Sequence, residues 1–201
     1  MLVRKIMSKD VVTISESATL EDAVALMKEF DIRHLPVIKD GRLAGLVTEG
    51  DVRGARFPAM LEDISVKDLM VNKPITIGPE GLLEDAARLV FRHKIGCLPV
   101  VDESGALMGI VTVADMLAAL IELMGFLSSS SRLDVVLPDR PEALEEACRL
   151  IQQNGGRIIS VSMTQIRKDQ KVHLFRLQKT DLAPIVVKMN DSGYPVVSSM
   201  G

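Results

Sequence analysis

Aromatic side chains are nearly missing from this sequence: five Phe, one Tyr and no Trp among 201 residues. A surface that stacks single-stranded bases needs several such rings, and their scarcity argues against one. Cysteine is scarcer still. Cys97 and Cys148 stand far from any CxxC spacing, so two reduced core thiols are expected, with neither a disulfide framework nor a thiolate metal cage. His34, His93 and His173 are scattered without a ligand cluster, and no metal site is expected. Long apolar runs are also absent. Met116 to Leu127 is interrupted by Glu122 and falls short of the roughly 20 helical residues a bilayer requires. Met1-Leu2-Val3-Arg4-Lys5 opens the chain without the apolar stretch of a signal peptide, so a cytoplasmic location is the expectation. P-loop, GxGxxG, HExxH and GxSxG patterns do not occur, and no enzyme activity is expected. Neither sign of charge dominates: the net value is −3 with the signs interspersed, which points to neither nucleic acid nor membrane as a partner.

What the sequence does contain is a repeat. With a shift of 63 residues, Leu20-Glu21-Asp22-Ala23 falls on Leu83-Glu84-Asp85-Ala86, and Leu35-Pro36-Val37 on Leu98-Pro99-Val100. One inserted residue near Ser104 changes the shift to 64, and then Gly41, Gly45, Thr48 and Asp51 fall on Gly105, Gly109, Thr112 and Asp115. Each copy reads alike. Leu20, Ala23, Val24 and Met27, matched by Leu83, Ala86, Ala87 and Val90, follow the spacing of an amphipathic helix. Two apolar runs around a polar turn with Gly then make a hairpin. A second helix starts near Thr48 and near Thr112, and Val3–Met7 and Val66–Met70 read as matching lead-in helices. Neither β-α-β-β-α unit buries both faces of its sheet alone, so the two should pack sheet against sheet around a cleft.

Twice the sequence carries Gly-hydrophobic-hydrophobic-Thr-x-x-Asp, as Gly45-Leu46-Val47-Thr48-Glu49-Gly50-Asp51 and Gly109-Ile110-Val111-Thr112-Val113-Ala114-Asp115, each downstream of Leu-Pro-Val. The pair resembles two CBS domains forming a Bateman module, with repeats at 1–63 and 64–127. The implied fold is α/β (α+β), two CBS repeats in a pseudo-twofold module. The resemblance implies a regulatory protein that binds an adenine nucleotide, AMP, ADP or ATP, as a regulatory ligand and requires no cofactor. It also implies a homodimer, and a regulated partner protein.

The residues suit such a ligand. A ribose diol is held by a carboxylate accepting two charge-assisted hydrogen bonds, and phosphates by hydroxyls and the amides of a helix start. Thr48 and Thr112 lie where a strand becomes a helix, and Asp51 and Asp115 lie in the first turn. Yet Thr-x-x-Asp at a helix start is also a capping box that needs no ligand. Both readings stay open on spacing. By the resemblance, Thr112 and Asp115 work with Ile32, Arg33 and His34, and Thr48 and Asp51 with Ile95, Gly96 and Cys97. Because Arg33 and His34 offer donors that Gly96 and Cys97 lack, the Asp115 side is expected to bind charged nucleotides more tightly. An S-adenosylmethionine-type adenosine sensor and a ligand-free interaction scaffold are the competing readings.

Ser128–Ser131 reads as a linker, and 132–201 as a fresh βαββαβ pattern, the ferredoxin-like plan. Its elements are a strand at Leu133–Leu137, a helix at Pro141–Gln153, a hairpin turning at Arg167-Lys168-Asp169-Gln170, a helix from Asp181 to Met189 and a strand from Tyr194 to Ser198. Asp139-Arg140-Pro141-Glu142-Ala143-Leu144 resembles the Asp-Arg-Pro-Gly-x-Leu loop of ACT domains, with Glu142 where that loop has Gly. The order CBS-CBS-ACT-like resembles regulatory proteins of acetoin utilisation. Upstream, Leu117, Leu120, Ile121 and Met124 give the preceding helix a broad apolar face, suited to packing on its own module or to a dimer seam.

Overall fold

The structure, a computed structural model, describes residues 1–55, 64–126, 129–167 and 170–201. It divides into two compact units, Met1–Leu117 and Ala118–Gly201. The first holds both repeats. A 3-10 turn at Val3–Lys5 precedes β1 (Ile14–Ser15), α1 (Leu20–Glu29), β2 (His34–Lys39), β3 (Arg42–Thr48) and α2 (Glu49–Ala55). The second copy runs through α3 (Val66–Leu69), β4 (Val71–Asn72), α4 (Leu83–His93), β5 (Cys97–Val101), β6 (Leu107–Thr112) and α5 (Val113–Leu123).

Local chemistry sets these boundaries. Thr19 and Asp22 form a reciprocal capping box that starts α1, whose Leu20, Ala23 and Met27 are buried. The turns after α1 and α4 use the left-handed conformation at matched residues, Asp31 (φ 51°) and Lys94 (φ 54°). Between β2 and β3, Asp40 and Gly41 have φ of 49° and 76°, the pair of positive angles that a two-residue hairpin turn requires. The other hairpin takes up the inserted residue differently. The Asp102 carboxylate accepts from the amides of Ser104 and Ala106, both at 2.9 Å, an Asx-type loop.

The repeats exchange their edges, which the repeat pattern did not reveal. β4 of the second copy pairs with β3 of the first, Leu46 opposite Val71. In return Ser8 exchanges two backbone hydrogen bonds with Ile110 on β6, at 2.9 and 3.0 Å. The first sheet has the order β1-β2-β3-β4. Around β5 and β6 the same plan recurs, with Ile77 bridged in parallel to Val100, as Ile14 is to Val37. The crossing explains two glycines of the repeated motif. A Cβ on Gly109 would lie 2.7 Å from the Ser8 carbonyl oxygen, and one on Gly45 2.5 Å from Met70 Sδ. Leu46, Cys97 and Ile110 form one buried cluster, so the two sheets pack on each other as expected.

The second unit contains β7 (Ser130–Val136), α6 (Ala143–Gln153), β8 (Ile158–Arg167), β9 (Gln170–Gln178), α7 (Ala183–Asp191) and β10 (Val196–Met200). Its antiparallel order is β10-β7-β9-β8, the ferredoxin-like βαββαβ plan. Leu133, Val135, Ala147, Ile151, Phe175, Leu177, Ile185 and Met189 form its core. Two details differ from expectation. Ser130 and Ser131 are not linker but the start of β7. Ser131 is fully buried because its hydroxyl satisfies the backbone of Thr180, donating to the carbonyl and accepting from the amide at 3.1 Å. Pro141 lies in a turn ahead of α6, where Ala143 N donates to Arg140 O at 3.2 Å. Leu127, Ser128 and the expected turn residues Lys168 and Asp169 lie outside the described residues.

Candidate functional site

A cavity of about 850 Å3 opens between the two sheets of the first unit. Strands β3 and β6 deliver Thr48 and Thr112 to it at the points where α2 and α5 begin. At both places a capping box forms with nearly superposable geometry. Thr48 donates to Asp51 Oδ2 from its amide at 2.8 Å and its hydroxyl at 2.7 Å, while Asp51 N donates to Thr48 Oγ1 at 3.3 Å. For Thr112 and Asp115 the same three bonds measure 2.8, 2.6 and 3.3 Å. The capping role is therefore real. It engages only Oδ2 of each carboxylate, and among the described residues Oδ1 of each has no partner. A cap of this kind leaves one oxygen for a hydroxyl donor, so capping and ligand binding are compatible.

Of the residues expected from sequence, Ile32, Arg33, His34, Thr48, Ile95, Gly96, Thr112 and Asp115 all line this cavity, as does Cys97. Asp51 does not. It is half-buried and stands one residue beyond the lining residue Gly50. The backbone ties each triplet to its own repeat's helix start. His34 pairs with Thr48, and Glu49 N donates to Arg33 O at 2.9 Å. Cys97 pairs with Thr112, and Val113 N donates to Gly96 O at 3.1 Å. The resemblance joins each triplet to the other repeat's helix; the direct bonds run within repeats.

Burial, and secondarily the adjacent Arg33, hold the His34 imidazole below its ordinary pKa, which favours the neutral ring near pH 7. That ring packs against Gly96, where a Cβ would meet its Nε2 at 2.5 Å. Burial pushes the Cys97 thiol up to about 12, so it is a protonated wall group rather than a nucleophile. Both cysteines are free.

Sequence reasoning missed a second set of wall residues: Ser8, Asp10, Val11 and Val12 from one crossing segment, and Lys73, Pro74 and Ile75 from the other. The 63-residue shift matches Asp10 to Lys73 and Val12 to Ile75; that correspondence was the available signal. Among the described residues no three His, Cys, Asp or Glu groups could hold a metal ion. Nor is any described helix long and apolar enough to cross a membrane.

In the second unit, Arg140 ties the Asp139–Leu144 loop to Glu146 of α6 and to Tyr194. Arg140 donates to both carboxylate oxygens of Glu146, at 2.9 and 2.6 Å, and to Tyr194 Oη at 3.0 Å. Tyr194 also donates to Glu146. The Arg140 guanidinium, with the Tyr194 hydroxyl second, lowers the Glu146 carboxyl to about 2.

The profile of the CBS domain family matches residues 3–57 and 66–122, more than half of the chain. Inosine-5′-monophosphate dehydrogenase of Korarchaeum cryptofilum is 44% identical over 108 residues, 54% of this chain but 22% of that enzyme. The first curated relatives are in fact matched over less than half of their own lengths. Solved structures align over about the same stretch. CBSX2 of Arabidopsis thaliana in complex with AMP has a TM-score of 0.55 and 32% identity, over 60% of this chain and 96% of that one. The CBS pair of MJ0100, in complex with 5′-methylthioadenosine and S-adenosyl-L-methionine, has 0.55 and 25%, over 60% and 95%. A protein assigned to acetoin utilisation (AcuB) from Vibrio cholerae has 0.56 and 30%, over 63% and 94%.

Proposed function

The chain belongs to the CBS-domain family, and from that premise we propose that it is a regulatory sensor binding an adenosine-containing ligand between its repeats. One observation carries the reading: a single cavity of about 850 Å3 meets both Thr-x-x-Asp helix starts. Its volume lies in the range of small-molecule sites, roughly 300–1,000 Å3. The walls supply what an adenosine needs. Val11, Ile32, Ile95 and Ile110 offer an apolar slot for a base, and Asp115 has an acceptor oxygen left over from its cap for the ribose hydroxyls.

AMP, ADP or ATP is the ligand class we favour, supported by the AMP complex of the CBSX2 neighbour. The MJ0100 complex supports S-adenosylmethionine and its relatives as a second reading. The protein acts without catalysis of its own. Ligand shifts the packing of a homodimer in the cytoplasm, and the C-terminal unit, read as ACT-like, or a partner protein responds. Such transmission requires only that the ligand bind one arrangement more tightly than the other. Arg140 of the loop resembling the ACT ligand loop is already engaged by Glu146 and Tyr194, which favours an assembly role over amino-acid binding there.

Thermal-shift and calorimetric titration with AMP, ADP, ATP, 5′-methylthioadenosine and S-adenosylmethionine tests the proposal. A specific ligand raises the melting temperature as RT ln(1 + [L]/Kd). The double variant Asp51→Asn/Asp115→Asn keeps side-chain acceptors for both caps and should melt near wild type while losing the ligand shift. No shift with any of these ligands would leave the motifs as caps alone.

A further inference from the structure

A second cavity, of about 330 Å3, lies between α1 and α2 of the first repeat. Val24, Met27, Ile32 and Val52 give it an apolar floor. At its rim Lys28, Arg33 and Arg53 outnumber Asp31 and Glu49, and Glu49 is already paired with Arg53 at 2.6 Å. The repeat alignment carries Lys28 to Phe91, Glu49 to Val113 and Arg53 to Leu117. Three charged side chains around the pocket thus become three apolar ones on α4 and α5. All three are exposed: Val113 at 47%, Leu117 at 55% and Phe91 at 87%, beyond any other large apolar side chain among the described residues. Single apolar residues on a surface need no cover, but three that replace the walls of one pocket mark a contact face.

The pocket and the projection suit each other. Roughly 150 Å3 suffices for a benzene ring, so the pocket has room for the Phe91 side chain. Its floor is apolar, and cations at its rim attract the face of an aromatic ring. So exposed a ring is not seated in its own chain's pocket.

We propose that a second copy of this chain docks here: Phe91 of one copy enters the α1–α2 pocket of the other, with Val113 and Leu117 against its rim. Under a twofold axis each copy gives one ring and receives one, so both contacts close together. Asp31, Ile32, Arg33 and Glu49 line this pocket and the adenosine cavity alike. A seated ring is therefore one wall away from the ligand, which gives the two sites a direct route of coupling. The coupling rests on the sensor reading; the docking does not.

Sedimentation equilibrium on the full chain tests the docking. Wild type should be a dimer, and Phe91→Ala should weaken it by about a hundredfold, about tenfold for each of two equivalent rings. Lys28→Gln should weaken it by about tenfold through the lost ring contacts. Both positions are exposed helix sites where Ala and Gln are good helix formers, and circular dichroism verifies the fold. Oxidation of Phe91→Cys/Lys28→Cys should give a covalent dimer in which peptide mapping joins position 28 of one copy to position 91 of the other. A monomeric wild type, a Phe91→Ala dimer as tight as wild type, or crosslinks joining position 91 only to itself would overturn the docking. AMP should change the wild-type dimer dissociation constant by about fivefold or more. Binding of AMP without that change would overturn the coupling alone. No binding of AMP in calorimetry would overturn the coupling and count against the sensor reading, and leave the docking intact.

Discussion

Gly109→Ala probes the edge exchange, because one methyl group is placed where the crossing segment lies. The new Cβ would sit 2.7 Å from the Ser8 carbonyl oxygen and 2.8 Å from Met7 Sδ. The thioether is able to swing away; the carbonyl moves only with its backbone. Ser8 and Ile110 share two hydrogen bonds, worth about 0.5–1.5 kcal/mol each in net terms. Overpacking adds about 1–3 kcal/mol if the strand stays in place. The chain takes the cheaper of these two routes or part of each, so the loss should be about 1–3 kcal/mol. Gly45→Ala meets Met70 Sδ first, at 2.5 Å, and Val71 O only at 3.1 Å, so it should cost less. Gly54→Ala is the control: nothing lies within 4 Å, the site is in α2, and helix propensity predicts a gain of up to about 1 kcal/mol. Urea unfolding followed by circular dichroism measures all three. Should Gly109→Ala be as stable as wild type, the crossing of Ser8 over β6 is misplaced and the exchanged edges fall with it.

Other outcomes follow from the same geometry. Ser131→Ala leaves the Thr180 amide without its buried acceptor and should destabilise the second unit by about 1–3 kcal/mol, read as a lower urea midpoint; Ser130→Ala should not match it. His34 and His173 are both held below the ordinary histidine pKa, each chiefly by burial. The unfolded chain therefore binds their protons first, and stability present above pH 6.5 should decline as pH falls below it. Melting curves between pH 7.5 and 5.5 should flatten in His34→Gln/His173→Gln, and an unchanged slope would contradict the assignment. Glu146, lowered to about 2 by Arg140 and then Tyr194, contributes stability above its ordinary 4.5 that is lost as pH falls toward 2. Arg140→Gln should shift that acid loss upward, seen by fluorescence of Tyr194.

Much of this architecture was readable because each signal was local or repeated. The helix spacing of Leu20, Ala23 and Met27 needs only a solvent boundary to become α1. The Asp40-Gly41 pair dictates its own hairpin turn. The doubled Thr-x-x-Asp motif marked both helix starts that meet the cavity. What escaped were consequences of the chain's return from elsewhere. Nothing local in Ser8 or Val71 says that each completes the other repeat's sheet, although Gly45 and Gly109 carry the imprint of that crossing. Ser131 looked like linker because a buried hydroxyl is recognisable only beside its partner, Thr180. The correspondence of Asp10 and Lys73 was visible in the aligned repeats, but nothing local says that both line one cavity. Asp51 shows the opposite limit: an aspartate in the same Thr-x-x-Asp pattern and nearly the same cap as Asp115 stands off the wall that Asp115 joins.

A crystal structure of the protein grown with AMP and 5′-methylthioadenosine puts the central claim to its most direct test. Density for an adenosine between the sheets, with ribose hydroxyls donating to Asp115 Oδ1 while Oδ2 keeps its cap on Thr112, is the predicted result. An empty cleft at saturating ligand, or an adenosine bound with no carboxylate in reach of its ribose, would contradict it.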